Sequence, residues 1–391
     1  MARTEIGFAV GTCCIILTFA ASAVSVPLYG LLADELQIER SLLSFVTVSY
    51  FIGTVSSLLF FARLSDHLGR RPLVLASLVI SIIGCLLLAH IASLGMFCAG
   101  RFLHGIACGI AMGSAGSYVL DNSENKPAWV PSAVNTSGSQ MGFAIGAFIA
   151  AGIAGAGLGT ALGFYGIAAL EALCACALLV APETISGHPG ALRSVAPKLM
   201  MPKLVRVVLP VCCCAFVCTW GIGGFYQTFS FSLGQACFHD PSIFYAALAF
   251  ALYMLSGFPG SVLSGRFDAL VSQRLGMTFV WVAFVLLMIA VHEGLGGLLI
   301  FVCVLGGVAH GMAYSAALRR AMTYVTQEER AGTLSSITLI SYAGAMGPNL
   351  IVGFAGSGAD VFTVACGYAV MVAICVVGSF FPSRDPQASG R

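Results

Sequence analysis

Charged residues are scarce in this chain. Asp, Glu, Lys and Arg make up 9% of its 391 residues, whereas hydrophobic residues make up 59%. Soluble domains carry about 25% charged residues, so a soluble fold could not hide this much apolar surface. The net charge of +2 provides no basic surface for a nucleic acid, and we expect no nucleic-acid partner.

Several motifs are also missing. No G-x-x-x-x-G-K-[ST] sequence occurs, which argues against direct use of ATP. The fifteen cysteines include no C-x-x-C pair near other ligands at metal spacing. We therefore expect them to pack as small hydrophobic residues, and we predict neither a metal nor another cofactor. The first apolar run, residues 6–32, is longer than a signal-peptide core of about 7–15 residues and predicts a retained helix.

The apolar residues that are present form twelve runs, each long enough to cross a bilayer as a helix of about 17–25 residues. The predicted spans are, in chain order, residues 6–32, 41–61, 73–91, 94–119, 130–152, 160–180, 205–232, 243–263, 277–292, 297–317, 333–354 and 361–381. Several are rich in Gly, Ala and Ser, which lets helices in lipid approach closely. The sequence therefore predicts an all-α polytopic membrane protein.

The basic residues predict the orientation of these spans. Of the 18 Lys and Arg residues, all but Arg40 and Arg101 fall in loops or termini on one side of the twelve spans. Because cytoplasmic loops carry an excess of Lys and Arg, both termini are predicted to be cytoplasmic. The expected location is a bacterial-type inner membrane.

The longest internal loop, residues 182–204, divides the chain into predicted six-helix bundles at 1–181 and 205–391. Short matches recur between the two halves at a spacing of roughly 205 residues. The matching pairs are His104-Gly105 with His310-Gly311, Met141-Gly142 with Met346-Gly347, and Asp66 with Asp268. Because they occur in the same order, they indicate a duplicated unit.

The loop between spans 2 and 3 reads A-R-L-S-D-H-L-G-R-R at residues 62–71. It resembles the G-x-L-a-D-r-x-G-r-r pattern of the major facilitator superfamily, from which only Ala62 and His67 depart. Residues 100–109 of span 4 are similar to the R-x-x-x-G element of that family, and residues 182–184, Pro-Glu-Thr, resemble another of its signatures. The resemblance implies two pseudo-symmetric six-helix bundles that rock about a central cavity.

Within that superfamily the chain most resembles the twelve-helix drug:proton antiporter group, whose span 5 carries G-x-x-x-G-P-x-x-G-G. Gly138, Gly142 and Gly146 match three of its glycines, whereas Phe143 occupies the position of its proline. Span 11 has a Gly-Pro pair instead, at residues 347–348. The replaced proline leaves both export and import open.

Four residues of the loop between spans 2 and 3, Asp66, Gly69, Arg70 and Arg71, are candidates for a conformational latch. Asp66 could accept hydrogen bonds from the start of span 3 or pair with arginines, and Gly69 permits a tight turn. The resemblance implies that such a loop biases the outward-open against the inward-open state. The alternative is a topology anchor that only follows the positive-inside rule.

Four ionisable side chains inside the spans are candidates for proton coupling or substrate binding. Arg101 either snorkels to the outer interface or faces the cavity, where the corresponding arginine of the family lies. His104 and its repeat mate His310 are either packing residues or proton carriers. Glu171 lies near mid-membrane and is expected to be protonated or paired, with Arg101 as one possible partner.

Aromatic and amide residues on spans 1, 7 and 10 are candidates to line the cavity, since spans 1, 4, 7 and 10 line it in the family. They are Tyr29, Trp220, Tyr226, Gln227 and Tyr314. A mixed apolar and polar lining of this kind suits a small ligand.

The sequence thus predicts a monomeric secondary transporter that exports a small amphiphilic compound and is driven by protons. Uptake of a small nutrient or metal complex is the alternative. A polytopic enzyme would need a nucleophile, a base or metal ligands clustered near one depth, and none is evident. A channel would not need duplicated bundles or a charged loop between spans 2 and 3.

Overall fold

The computed structural model describes residues 2–61, 64–124, 126–127, 129–185, 196, 199–240, 242–326, 329–355 and 360–382. Two positions of the loop pattern, Ala62 and Arg63, lie outside this part of the chain, as do residues 186–195 of the central loop and residues 383–391. The chain folds into two compact units, residues 1–197 and 198–391.

Six helices, α1 to α6, form the N-terminal unit and follow the predicted spans 1–6 in order. Their bounds are Ala2–Val24, Leu43–Phe60, Arg70–Ala89, Leu94–Asp121, Trp129–Gly155 and Ala161–Leu178. Helix α1 is extended by a 3₁₀ turn at Val26–Leu28 and a short helix at Tyr29–Glu35. A four-residue helix, Ser65–Leu68, lies in the loop before α3.

Helices α7 to α12 form the C-terminal unit. Their bounds are Lys203–Phe238, Ile243–Ser264, Ala269–Glu293, Gly296–Met322, Arg330–Ala355 and Val361–Ser379. Twelve helices in the described part of the chain are long and apolar enough to cross a membrane, and no strand occurs there. This confirms the predicted all-α membrane fold.

Two helices extend furthest beyond the predicted spans. Helix α9 begins at Ala269, because the side chain of Asp268 accepts hydrogen bonds from the backbone N–H groups of Leu270 and Val271 and so caps the helix. Helix α7 continues to Phe238 and ends at His239, whose φ of 55° places it in the left-handed region. Local capping, rather than hydropathy, therefore sets the start of α9 and the end of α7.

Glycine brings α4 against α2 and α10 against α8. A Cβ at Gly105 would collide with the backbone carbonyl oxygen of Tyr50, and a Cβ at Gly311 would collide with that of Gly257. Small residues let helix backbones approach this closely in a membrane. The repeated glycine therefore has the same packing role in both units.

The three glycines of the span-5 motif face α1. A Cβ at Gly142 would lie 2.5 Å from the carbonyl oxygen of Ile16, and one at Gly146 would collide with the backbone of Ala20. Gly138 is the loosest of the three, since its Cβ would lie 3.1 Å from the side chain of Ile15. The motif thus forms a groove on α5 that seats α1.

Helix α4 contains a π-helical segment, Ala111–Ala115. Such a segment carries one extra residue within its turn. The Asn135 side chain of α5 donates to the carbonyl of Gly116, at 3.2 Å. The parts of α4 before and after this segment therefore present different faces to their neighbours.

An arginine near the start of α3 and another near the start of α9 bind the last carbonyls of a neighbouring helix. The Arg71 guanidinium donates to the carbonyl of Leu179 after α6. Arg274 donates to the carbonyls of Ser379, Phe380 and Phe381 at the end of α12. A cation is favourable at a helix C-terminus, and the unpaired carbonyls there need donors.

Candidate functional site

Arg101 lies in the interior of the N-terminal unit. Its side chain is fully buried, and Nη1 donates to the carbonyl and hydroxyl oxygens of Ser22 on α1, at 2.6 and 2.8 Å. The guanidinium carbon is 4.5 Å from the ring centroid of Tyr50 and 5.8 Å from that of Tyr29. Full burial contradicts the snorkelling alternative, because the guanidinium does not reach the protein surface.

The guanidinium of Arg101 is only partly satisfied. Nε and Nη2 are buried and have no hydrogen-bond partner among the described residues. Cation–π contacts with the two tyrosine rings stabilise the charge but accept no N–H hydrogen bonds of the ordinary kind. The site therefore contains a buried guanidinium, two of whose nitrogen donors have no acceptor among the described residues.

His104 lies one turn along α4 from Arg101 but packs against α3. Its Nε2 atom is 3.5 Å from the Cys85 sulfur, and a Cβ at Gly84 would lie 2.6 Å from its ring. Its Nδ1 atom is buried without a hydrogen-bond partner among the described residues. The two side chains, which the sequence places on one face, thus have different neighbours.

Glu171 is fully buried on α6, about 15 Å along the helix from its start. Neither carboxyl oxygen has a hydrogen-bond partner in the described part of the chain, and no ion pair with Arg101 forms there. Arg101 is therefore not the partner of Glu171 in this conformation. Of the two expected states, paired and protonated, the geometry favours the neutral acid, since an unpaired buried carboxylate is costly.

Arg70 is the centre of a charged cluster where α3, α4 and the loop after α6 meet. Its guanidinium donates to Asp66 at 2.5 Å, to the Ser65 hydroxyl at 2.6 Å and to Asp121 at 3.3 Å. Asp121 also accepts a hydrogen bond from the Thr184 hydroxyl, at 2.8 Å. Of the two predicted roles of Asp66, pairing with an arginine is the one observed.

The other role, capping α3, belongs to Glu183. Its carboxylate accepts hydrogen bonds from the backbone N–H groups of Arg70 and Arg71, at 2.9 and 3.1 Å. Gly69 makes the approach possible, because its φ is 99° and a Cβ there would lie 2.7 Å from the Glu183 carboxylate. A carboxylate at a helix N-terminus is favoured by the helix dipole.

Two predicted cavity residues of the C-terminal unit lie in a cluster of aromatic rings. The Trp220 ring centroid lies 4.4 Å from that of Tyr342 on α11 and 6.1 Å from that of Tyr314 on α10. Phe216 contacts Tyr314 edge to face, at 5.6 Å. The predicted cavity residues Trp220 and Tyr314 thus belong to one aromatic cluster across α7, α10 and α11.

His310 joins this cluster to a second stack. Its Nδ1 atom is 2.8 Å from the Tyr253 hydroxyl on α8, and its ring centroid is 6.3 Å from that of Tyr314. Tyr253 stacks on Tyr226 with centroids 4.2 Å apart. Gln227, the remaining cavity candidate, is buried on α7. His310 therefore has a hydroxyl partner, whereas His104 has a thiol.

Sequence reasoning missed several residues that complete these sites. The Pro-Glu-Thr pattern draws attention to Glu183 but gives it no role, and Asp121 is not among the predicted site residues. Tyr50 and Tyr253 carried no sequence signal, because an aromatic residue inside an apolar span is usually a packing residue. Their roles depend on which helix faces they meet.

Comparisons with known proteins add the family. The family model of the Major Facilitator Superfamily matches residues 11–348. The multidrug resistance protein MdtL of Klebsiella pneumoniae is 29% identical over 107 residues, which cover 27% of this chain and 27% of that protein. MdtL of Citrobacter koseri is 27% identical over 95 residues, 24% of each chain. The matched segment thus spans about a quarter of the length of these curated relatives.

Solved structures match over nearly the whole chain. The crystal structure of the nucleoside transporter NupG matches with a TM-score of 0.70 and 13% identity, over 98% of this chain and 100% of that one. A bacterial homolog of the human lysosomal transporter Spinster, in an inward-facing and unoccupied conformation, matches with a TM-score of 0.72 and 16% identity, over 99% and 98%. At these identities the likeness establishes the fold alone.

Proposed function

The chain belongs to the major facilitator superfamily and is a membrane transporter rather than an enzyme, and from this premise we propose that it exports a small amphiphilic compound in exchange for protons. The partial similarity to multidrug resistance proteins supports export of such a compound. The two units would act as the bundles of an alternating-access transporter. We infer that one copy of the chain suffices.

The observation that carries the coupling is the state of Arg101. Its buried guanidinium has no carboxylate partner, and two of its donor nitrogens have no acceptor among the described residues. A buried cation is expensive unless it is paired, so a partner that arrives during the cycle would be strongly favoured. A substrate group or a newly ionised carboxyl would be such a partner.

The amphiphilic character of the substrate rests on the aromatic cluster. Trp220 and Tyr314 are only partly buried, and Tyr342 backs them with a third ring. Aromatic rings provide large apolar contact area together with hydroxyl and indole donors. The cluster would therefore bind an apolar ring of a compound that also carries polar groups.

We propose that the Arg70 cluster acts as the latch and lies on the cytoplasmic side of an inner membrane. The bias of Lys and Arg toward one side supports cytoplasmic termini. The contacts described for Asp66, Gly69, Arg70 and Arg71 all lie within the N-terminal unit and fix the start of α3. The cluster would therefore act by holding the ends of α3, α4 and α6 in one arrangement.

Reconstituted flux tests the proposal. The purified protein is placed in liposomes, with ethidium or rhodamine 6G as the amphiphilic probe. An imposed proton gradient should drive the probe in the direction opposite to proton flow, and the pH of the lumen should change as the probe moves. Arg101→Ala should abolish the gradient-driven part of the flux. Arg40→Ala is the matched control, because Arg40 is an exposed residue of the 3₁₀ turn before α2 and pairs with Asp34. A flux that does not change with the imposed pH gradient would contradict the proposed proton coupling.

Import of a small nutrient is the second candidate. The observation in its favour is Phe143, which replaces the proline of the antiporter pattern and packs edge to face on Phe19, at 5.0 Å. Helix α5 therefore lacks the interior proline that marks the antiporter group. Flux measured in both directions of the gradient decides between import and export.

A further inference from the structure

Three buried polar groups meet inside the N-terminal unit without completing their hydrogen bonds. They are the Glu171 carboxyl on α6, the Ser81 hydroxyl on α3 and the Nδ1 atom of His104 on α4. All three side chains are fully buried. Buried polar groups in proteins are almost always paired. Among the described residues, none of these three groups makes a well-formed hydrogen bond at the atoms named, which indicates a function other than packing.

Ser81 lies between the other two. Its hydroxyl lies beside the Glu171 carboxyl, and its carbonyl lies beside the His104 ring. One turn farther along α3, the Cys85 sulfur is 3.5 Å from His104 Nε2. A single helix turn of α3 thus connects a carboxyl on α6 with an imidazole on α4.

Among the described residues, the surroundings of this site offer no fixed counter-charge for Glu171. The other titratable side chains that face it come from α1, α3, α4 and α6, and they are Cys14, Cys85, Cys108 and Cys174. Arg101 faces His104 from the preceding turn of α4 but donates to Ser22. Neutral glutamic acid has an O–H donor and an acceptor and fits such a site, whereas a carboxylate would be unpaired.

We propose that Glu171, Ser81 and His104 form an internal proton-holding site, in which the Glu171 carboxyl binds and releases the proton exchanged in each transport cycle. The inference rests on the proposed proton coupling. In the loaded site Glu171 is a neutral acid and His104 is neutral; on unloading, the carboxyl proton leaves to bulk water and a carboxylate remains. Because that carboxylate is unpaired in the packing described, proton release favours a different conformation of the unit.

Infrared spectroscopy of the full-length protein in bilayers tests the site without a substrate. Glu171 is the one acidic residue that is buried among those described. A carboxylic C=O band at neutral pH should therefore come from this residue and vanish in Glu171→Gln. Glu293→Gln, which removes an exposed carboxyl, should leave the band unchanged. A neutral-pH spectrum without such a band overturns the inference.

Two further variants test the partners of the carboxyl. Ser81→Ala removes a donor beside the carboxyl and should shift its C=O band to higher frequency. His104→Gln should shift the band as well, and it keeps a polar side chain of similar size in the site. A band that moves in neither variant overturns the assignment of Ser81 and His104 to the site.

Flux separates this site from the proposed function. In Glu171→Gln, gradient-driven transport of ethidium or rhodamine 6G should fall by about tenfold, while exchange of probe across the bilayer without a gradient continues. Gradient-driven flux at the wild-type rate in this variant overturns the transport role of Glu171. If wild-type flux itself ignores the gradient, the coupling fails and this inference fails with it, although the band still shows whether the carboxyl holds a proton.

Discussion

Helices α4 and α10 carry the same His-Gly pair, and only the glycine keeps its role. Gly105 and Gly311 each bring their helix against the backbone of a neighbour, α2 in one unit and α8 in the other. His104 turns to a thiol on α3, whereas His310 turns to a tyrosine hydroxyl on α8. The two units therefore share this close packing and differ in their polar contacts.

Helices α3 and α9 show the same difference at their starts. Asp268 caps α9 from the position just before it, whereas α3 is capped by Glu183, which comes after α6 in the chain. Asp66, the counterpart of Asp268, is thereby left to pair with Arg70. A local cap in one unit corresponds to a long-range cap in the other, and only the long-range cap ties separate helices together.

The glycines of α5 and α11 also differ. Gly142 lies in a groove that seats α1, whereas a Cβ at Gly347 would contact nothing within 4 Å. A sequence match between repeats therefore does not guarantee a matching contact. Four measurements test how far the two units differ.

The largest effect is expected at the shared glycines. Gly105→Val and Gly311→Val should each destabilise the protein by about 3 kcal/mol or more, because the added side chain would overlap the backbone of the facing helix. Thermal unfolding in detergent, read by size-exclusion chromatography, measures the loss. Gly347→Val is the control. If only one of the two variants is damaging, the packing of α4 and α10 is not equivalent.

The caps of α3 and α9 should differ in what they stabilise. Glu183→Ala and Asp268→Ala should each cost about 1–2 kcal/mol, the usual value of an N-cap. Hydrogen exchange should speed up at the start of α9 alone in Asp268→Ala. In Glu183→Ala it should also speed up around Asp121 and Thr184, which share the Arg70 cluster. Exchange confined to α3 would contradict the long-range role of Glu183.

The two arginines that bind helix C-termini should stabilise the fold in proportion to the number of carbonyls that each one binds. Arg274→Ala loses hydrogen bonds to three carbonyls and should cost about 1–2 kcal/mol, whereas Arg71→Ala loses one and should cost about half as much. Midpoints of thermal unfolding give the ranking. Equal losses would show that the number of acceptors does not decide the contribution.

The smallest effect is a pH dependence at the start of α12. Hydrogen bonds from the hydroxyl and backbone N–H of Thr363 hold the pKa of the Asp360 carboxyl below its usual value. A lowered folded-state pKa means that this contribution is present above about pH 4 and is lost as the pH falls through the folded value. Helix α6, whose first residue follows Thr160 without a side-chain cap, should show no such change.

Amide exchange at Thr363, followed from pH 6 down to about pH 3, measures this contribution. Its protection should fall in the wild type and be low at every pH in Asp360→Ala. Protection that is independent of pH in the wild type would show that the cap contributes nothing.

The sequence predicted the number and order of the membrane helices, because each span needs a long apolar run and such runs are visible in the order of the residues. It placed the start of α9 eight residues late, since a helix capped by Asp268 extends beyond its apolar part. It could not foresee that Glu183 caps α3, because the two are more than 100 residues apart and meet only after α3 and α6 have packed. The partners of Arg101 and Glu171 depend in the same way on the rotation of each helix, which hydropathy does not determine.

The π-helical segment of α4 acts as a one-residue phase shift within an otherwise regular helix. Each residue of an α-helix turns the chain by about 100°, so removing one residue from Ala111–Ala115 would rotate everything after it relative to Arg101 by that angle. Asp121 would then face away from Arg70. The alignment of a buried guanidinium at one depth with a charged cluster at another is therefore set by a single inserted residue.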